Sequence, residues 1–295
     1  MKLVIHIGLH KTGTTSFQNF LHFNREALLH SGVLYPEMGE HESHWVIPNQ
    51  IVRNNWSYVE DFMKSSLANA KESNVRTVFI SSEDFEVFLF EGYLASKFEK
   101  LILNLGYSKI YWVCVLRNQW DYFNSIYSEM SKNKVCLNYA TAGEEILNFG
   151  EISMGNNVYR WRFAFDYDVI IQRFLDYING SFSAYSFEQF TSNNIIGKDF
   201  IDKLIEDDLN RKFFWSSSLR HVNKTNVRGK DETIEIDYLS NFLGIKMTKE
   251  IFEENKNTFL PIINNRLGMI DLVKEDLHKR FKEKFPQISI KFNFK

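Results

Sequence analysis

The sequence predicts an α/β protein, with a central parallel sheet flanked by helices and a helical C-terminal section. Apolar runs rich in β-branched residues have the composition of buried parallel strands, at 3–7, 76–81 and 109–116. Apolar residues at helical spacing follow the first two of these runs. We expect a single domain over residues 1–295, because no repeat, low-complexity stretch or change of composition marks a linker.

Further elements follow from the same patterns along the chain. A helix-like segment begins at Val46, and a fourth strand is predicted at 182–187. Alternating aromatic residues from Tyr159 to Phe165 fit either a strand or an aromatic patch. The remaining helices are predicted at 59–69, 94–105, 169–178, 200–209 and 267–285.

The composition argues against several functional classes. The formal net charge is −2, and generic nucleic-acid binding usually requires a basic excess. No segment approaches the ~20 apolar residues of a membrane span. Cys114 and Cys136 are the two cysteines, which indicates a reducing compartment, and a first strand at Leu3 leaves no room for a signal peptide before it. We therefore expect a cytoplasmic protein.

The segment from Leu3 to Leu29 has the pattern of an anion-binding site. A strand leads into a glycine-bearing loop, G-L-H-K-T-G, and hydroxyl residues stand where a helix should begin. Backbone N–H groups converge at a helix N-terminus, and the helix dipole favours negative charge there. The alternative is an ordinary glycine turn before a helix. The residues predicted to form the phosphate cradle are His10, Lys11, Thr12, Gly13, Thr14, Thr15 and Ser16.

The order of residues in this loop differs from a Walker A motif, in which the lysine follows the second glycine. Here Lys11 precedes Gly13. The order resembles the 5′-phosphosulfate loop of sulfotransferases that use 3′-phosphoadenosine 5′-phosphosulfate (PAPS), and is similar to the bacterial pattern HIG-x-x-KTGTTS-x-Q. The resemblance implies a P-loop-like sheet, PAPS as the sulfuryl donor and no metal. Lys11 would then act in catalysis as well as in cofactor binding.

A second stretch, from Lys109 to Tyr127, resembles the other signature of this family. The strand ends in R-N-Q-W-D, which is similar to R-[ND]-P-x-D followed by a serine eight positions after the arginine. The resemblance implies that Arg117 and Ser125 hold the 3′-phosphate, and arginine can fork onto phosphate oxygens. Gln119 replaces the usual proline. Taken by itself, the stretch fits a structural turn between a strand and a helix. Its position in the chain, after the first motif, favours the phosphate site instead.

The candidate base lies after the second strand. Glu83 follows the run 76–81, at the rim where open α/β sheets bind ligands. The resemblance supports this role, because glutamate is the base in some carbohydrate-modifying relatives. The alternative is that Glu83 caps the next helix.

The loop after the first helix supplies competing candidates. Glu37 and His44 are predicted to contribute to acceptor binding together with Trp45, and either Glu37 or His44 competes with Glu83 as the base. A solvated loop with a few packed aromatic residues is the alternative. We also expect the polar, glycine-bearing stretch 132–159 at the mouth of the acceptor site.

A late basic segment resembles a third family feature. Val222 to Thr225 is similar to a V-N-x-S stretch, and other branches close a basic segment over the 3′-phosphate. Any of five residues could provide that contact: Arg220, Lys224, Arg228, Gly229 and Lys230. A solvated basic loop is an equal alternative.

The resemblance as a whole implies a PAPS-dependent sulfotransferase of the bacterial, carbohydrate-type branch. It would move a sulfuryl group in line to a hydroxyl or amine of a carbohydrate or glycoconjugate, with a carboxylate or histidine base. A nucleotide or sugar kinase is the first alternative, but it would require a Walker lysine and a magnesium carboxylate. A catalytically silent nucleotide-binding module is the second.

Overall fold

The computed structural model describes residues 1–132, 139–155, 160–193, 195–209, 248, 250–251, 254 and 272–285. These residues form two compact units. The first comprises described residues within 1–117 and 168–209, and the second comprises described residues within 118–167 and 248–285. The single domain over 1–295 stays a prediction.

The strands of the described residues are β1 (Lys2–Gly8), β2 (Val33–Leu34), β3 (Thr77–Ser82), β4 (Lys109–Leu116), β5 (Glu151–Gly155), β6 (Arg160–Ala164) and β7 (Ser181–Ser186). Strands β1, β3, β4 and β7 were predicted with small errors at their ends.

The helices mostly follow the predicted segments. They are α1 (Thr14–Phe23), α2 (Arg25–His30), α3 (Val46–Val52), α4 (Trp56–Glu72), α5 (Val87–Phe90), α6 (Gly92–Asn104), α7 (Gln119–Lys132), α8 (Tyr139–Phe149), α9 (Tyr167–Leu175), α10 (Phe187–Phe190) and α11 (Lys198–Leu209). A 3₁₀ helix spans Glu83–Glu86, and residues 272–284 are helical.

The first unit is built on a five-stranded sheet in the order β2-β3-β1-β4-β7. All four pairings are parallel, which confirms the predicted α/β fold. Ile7 pairs with Ser82 and Gly8 pairs with Val115, so β1, β3 and β4 end at one rim of the sheet. The chain passes from β3 to β4 across β1, and this reversal of strand order is where open α/β sheets bind ligands.

Helices cover both faces of this sheet because the strands carry apolar side chains on both sides. On one face, Val113 and Val115 belong to a core cluster that includes Phe17 of α1 and Phe200 of α11. On the other face, the buried Trp112 ring contacts three phenylalanine rings, those of Phe88, Phe98 and Phe174. Burial on both faces explains why these strands read as continuous apolar runs rather than as alternating ones.

Strands β2 and β5 and helix α8 were missed from the sequence. Strand β2 has only two residues, too few to show a period, and it exists through pairing of Val33 with Thr77 and Leu34 with Val78. Helix α8 lies in the polar stretch 132–159, where no element was predicted; its buried face includes Ala142 and Ile146. The alternating aromatic residues lie partly on β6, which confirms the strand interpretation.

The second unit contains α7, α8 and the antiparallel pair β5–β6. The helical stretch 272–284 packs in this unit through Phe281, whose ring contacts Trp120 and Phe123, and Arg280 donates to Glu144 Oε2 at 2.8 Å. None of the helices in the described part of the chain combines the length and apolar character that a membrane span requires.

Candidate anion-binding site

The loop between β1 and α1 is a tight turn held by its own backbone and by Thr12. Lys11 has φ +60° and Gly13 has φ +79°, both in the left-handed region. Thr12 is fully buried, and its hydroxyl donates to the Leu9 carbonyl at 2.6 Å. A Cβ on Gly13 would lie 2.6 Å from Ile196 Cδ1, so this position requires glycine both for its backbone conformation and for space.

The N-terminus of α1 offers backbone donors beside this loop. The first helical bond runs from the Phe17 N–H to the Gly13 carbonyl at 3.1 Å, so the N–H groups of Thr14, Thr15 and Ser16 precede it. Among the described residues, no side chain caps this end. An exposed Lys11 side chain stands in the same loop. Donors, dipole and cation together are the elements of an anion site.

Gly8 allows α1 to start close against the end of β1. A Cβ at Gly8 would lie only 1.9 Å from Thr14 Cγ2. Thr14 itself is buried, and its hydroxyl donates to Glu83 Oε2 at 2.8 Å. Gly8 and Gly13 are therefore both required for close packing, and Gly13 is also required for the left-handed backbone conformation of the turn.

Glu83 lies at the end of β3 and faces the loop. Its side chain is 34% exposed, and its Oε1 atom is 4.0 Å from His10 Nδ1. The cap of the following 3₁₀ helix is Ser82, whose hydroxyl accepts from the Asp84 N–H at 3.1 Å. The alternative role of Glu83 as a helix cap is thus taken by its neighbour.

Arg117 lies at the end of β4, next to the same loop. Its Nη1 donates to the Lys11 carbonyl at 2.8 Å, and its guanidinium lies 4.7 Å from the centre of the Phe187 ring. Ser125, the predicted partner of Arg117 at the 3′-phosphate, belongs to the second unit, where it is buried on α7. Their joint role stays a prediction.

His44 is buried, and both of its ring nitrogens bond to the backbone. Nδ1 accepts from the Ser81 N–H at 3.1 Å, and Nε2 therefore carries the proton that it donates to the Pro36 carbonyl at 3.0 Å. Burial lowers the pKa of His44 to about 4. This arrangement favours a structural role for His44 over the predicted role of a base.

The two other predicted acceptor residues lie at the surface. The Glu37 side chain is 80% exposed, with Oε1 3.8 Å from Arg25 Nη1. Trp45 is 40% exposed, and its ring meets the His41 ring edge to face at 5.5 Å. Both side chains are accessible to a ligand, and neither is held by the core.

Sequence reasoning missed two carboxylates that follow Glu83. Burial, and secondly the charge of Glu83, raise the pKa of Asp84 to about 6, and Asn49 Nδ2 donates to its Oδ2 at 3.4 Å. Glu86 is buried and accepts from the His10 N–H at 3.5 Å. The three acidic residues are visible in the sequence as the run S-S-E-D-F-E. The direction in which each side chain points depends on the 3₁₀ helix that they form, which the sequence did not predict.

The late basic candidates, Arg220 and Lys224, lie outside the described residues.

Within the described ranges, no group of three or more His, Cys, Asp or Glu side chains is arranged to hold a metal ion.

The chain is similar in structure to a sulfotransferase from Alicyclobacillus acidocaldarius, with 15% sequence identity and a TM-score of 0.42, over 82% of this chain and 95% of that chain. No protein-family model and no curated protein matches this sequence.

Proposed function

We propose that this protein is a PAPS-dependent sulfotransferase. The observation that carries the proposal is the loop G-L-H-K-T-G-T-T at the start of α1, with Arg117 bonded to its Lys11 carbonyl. A nucleotide with separate 5′ and 3′ phosphates requires two cationic positions near each other. Lys11 and Arg117 are suited to these positions, at the ends of neighbouring parallel strands.

The residues of the loop fit such a donor. Gly8 and Gly13 present no side chain, and the start of α1 presents backbone donors. The nearby Glu83 carboxylate would repel a bound anion, but Thr14 donates a hydrogen bond to it at 2.8 Å. PAPS, when bound, would supply the sulfuryl group as the electrophile.

The chain's own residues would act mainly through position and charge, as they do in phosphoryl transfer. Lys11 and the amides near Gly13 and Thr14 would neutralise the charge that develops on the leaving oxygen. Arg117, Ser125 and one of the late basic residues would bind the 3′-phosphate. A base at the Glu83 corner of the rim would receive the acceptor proton.

The proposed acceptor is a hydroxyl of a carbohydrate or glycoconjugate. Support comes from the carboxylate at the end of β3 and from the exposed Trp45, which offers an aromatic surface on the segment between α2 and α3. Glu37 on the same segment is open to solvent and provides an acceptor for sugar hydroxyls.

A thermal-shift comparison distinguishes the proposed sulfotransferase from a nucleotide or sugar kinase. We expect PAPS and adenosine 3′,5′-bisphosphate to stabilise the protein, and ATP with Mg²⁺ to have little effect. Sulfuryl transfer from labelled PAPS to 4-nitrophenyl glycosides would then separate an enzyme from a silent binding module. Stabilisation by ATP with Mg²⁺ alone would contradict the proposal.

A further inference from the structure

His10, in the loop between β1 and α1, lies close to two carboxylates. Its Nδ1 lies 4.0 Å from Glu83 Oε1, and its backbone N–H points to Glu86 Oε2 at 3.5 Å. Its side chain is 21% exposed, so it is accessible while it remains partly packed. Lys11 is its neighbour in the chain.

Both oxygens of Glu83 are directed at the loop. Oε2 accepts from the Thr14 hydroxyl at 2.8 Å, and Oε1 faces the His10 ring. A carboxylate beside an imidazole is well suited to orient the ring and to balance the charge of an imidazolium.

We propose that His10 is a further catalytic residue of the sulfotransferase reaction: its imidazole takes the acceptor proton, and Glu83 orients the ring. This inference rests on the proposed function. As the acceptor O–H bond breaks, its proton goes to His10. The acceptor oxygen bonds to sulfur, and the electron pair of the breaking sulfur–oxygen bond stays on the departing bisphosphate.

The geometry assigns the two ring nitrogens different tasks. With Nδ1–H turned toward Glu83, Nε2 receives the proton. The separation of 4.0 Å exceeds a hydrogen bond, and catalytic contacts commonly shorten when substrate binds. Both nitrogens of His44 already bond to the backbone, which favours His10 over His44 in this role.

The test is a cycle of His10→Gln, Glu83→Gln and the double variant, with the exposed His30→Gln on α2 as the matched control. Turnover is followed as bisphosphate release from PAPS with 4-nitrophenyl glycosides as acceptors. We expect each single variant to lose at least ~10²-fold in kcat, with bisphosphate binding retained. The double variant should lose no more than the worse single variant, because the two residues act as a unit.

A second readout needs no ligand. The NMR titration midpoint of the His10 ring should fall by about one pH unit in Glu83→Gln, because a neighbouring negative charge is removed. An unchanged midpoint, a His10→Gln variant that keeps its turnover, or losses that multiply in the double variant would each overturn the inference. A wild-type protein that neither binds the bisphosphate nor transfers sulfuryl groups would instead overturn the proposed function, and the base role with it.

Discussion

At the scale of single residues, Lys11 and Arg117 supply the positive charge of the candidate site from segments that follow two different strands, β1 and β4. The Lys11 side chain is exposed, whereas its carbonyl accepts a hydrogen bond from Arg117 at 2.8 Å. Arg117 therefore contributes in two ways, through its own charge and through the shape of the loop. The two residues should respond differently to substitution.

Lys11→Ala should lower kcat by at least ~10²-fold, roughly 2.7 kcal/mol at the barrier, because the leaving oxygen loses its cation. Steady-state turnover of PAPS measures this loss, with Lys100→Ala on α6 as an exposed-lysine control. A variant with weaker cofactor binding and an intact kcat would make Lys11 a binding residue only.

Arg117→Gln should weaken binding of adenosine 3′,5′-bisphosphate by roughly 1.5–3 kcal/mol, the usual contribution of a charge-assisted contact. Calorimetric titration should show a smaller loss for adenosine 5′-phosphosulfate, which lacks the 3′-phosphate. The exposed Arg53→Gln serves as the control. If both ligands lost the same binding free energy, Arg117 would only stabilise the loop and would not contact the 3′-phosphate.

At the scale of elements, the site depends on how closely α1 approaches the end of β1. The closest contact to a side chain added at Gly8 is Thr14 Cγ2, at 1.9 Å. Thr14 is also the residue that joins α1 to Glu83 at the end of β3. Displacement of Thr14 would therefore move the helix start away from the neighbouring strand end.

Gly8→Ala should destabilise the protein by about 1–3 kcal/mol, as overpacking of a filled site usually does. It should also weaken bisphosphate binding, because the backbone donors of α1 move. Thr14→Ser in the same background removes the clashing methyl group and keeps the hydroxyl. Urea unfolding and calorimetry on both variants should show a partial recovery, and the absence of any recovery would contradict this account of the glycine.

At the scale of the whole molecule, two buried histidines tie the stability of the first unit to pH. His6 Nδ1 lies 2.8 Å from the Ser81 hydroxyl, and its Nε2 is buried without a hydrogen-bond partner among the described residues. Burial lowers the pKa of His6 to about 3 and that of His44 to about 4. The folded protein therefore keeps both rings neutral where the unfolded chain would protonate them.

The stabilisation that comes from the two neutral histidine rings is fully present above about pH 6.5. It falls as the pH drops toward the pKa values of the folded state, because the unfolded state binds more protons. At pH 5 the loss should be about 2 kcal/mol for each histidine. Asp84 acts in the opposite direction, because its raised pKa makes the folded state bind the proton more tightly. Its contribution is smaller than that of the two histidines together.

Urea unfolding at pH 7.5 and pH 5 measures this dependence. The double variant His6→Gln, His44→Gln should be less stable at pH 7.5, yet lose less stability than the wild type between the two pH values. The control variant His30→Gln should behave as the wild type does. An equal loss of stability in the double variant and the wild type would show that other groups cause the pH dependence.

The sequence alone determined the central strands and the loop, because both depend on local chemistry. The run 109–116 was predicted as a strand, and it is β4. The turn at Gly13 and the hydroxyl residues after it also indicated the helix start, because only glycine readily adopts the required backbone conformation.

Tertiary structure decided which side chains meet at the rim. The sequence favoured Glu83 as the base, with His44 as a competitor, and the structure shows that Glu83 faces the loop whereas His44 is buried with both nitrogens bonded. The pairing of His10 with Glu83 depends on the parallel register of β1 with β3. Hydrophobic periodicity specifies which face of an element is buried, but only packing of distant segments sets distances between their side chains.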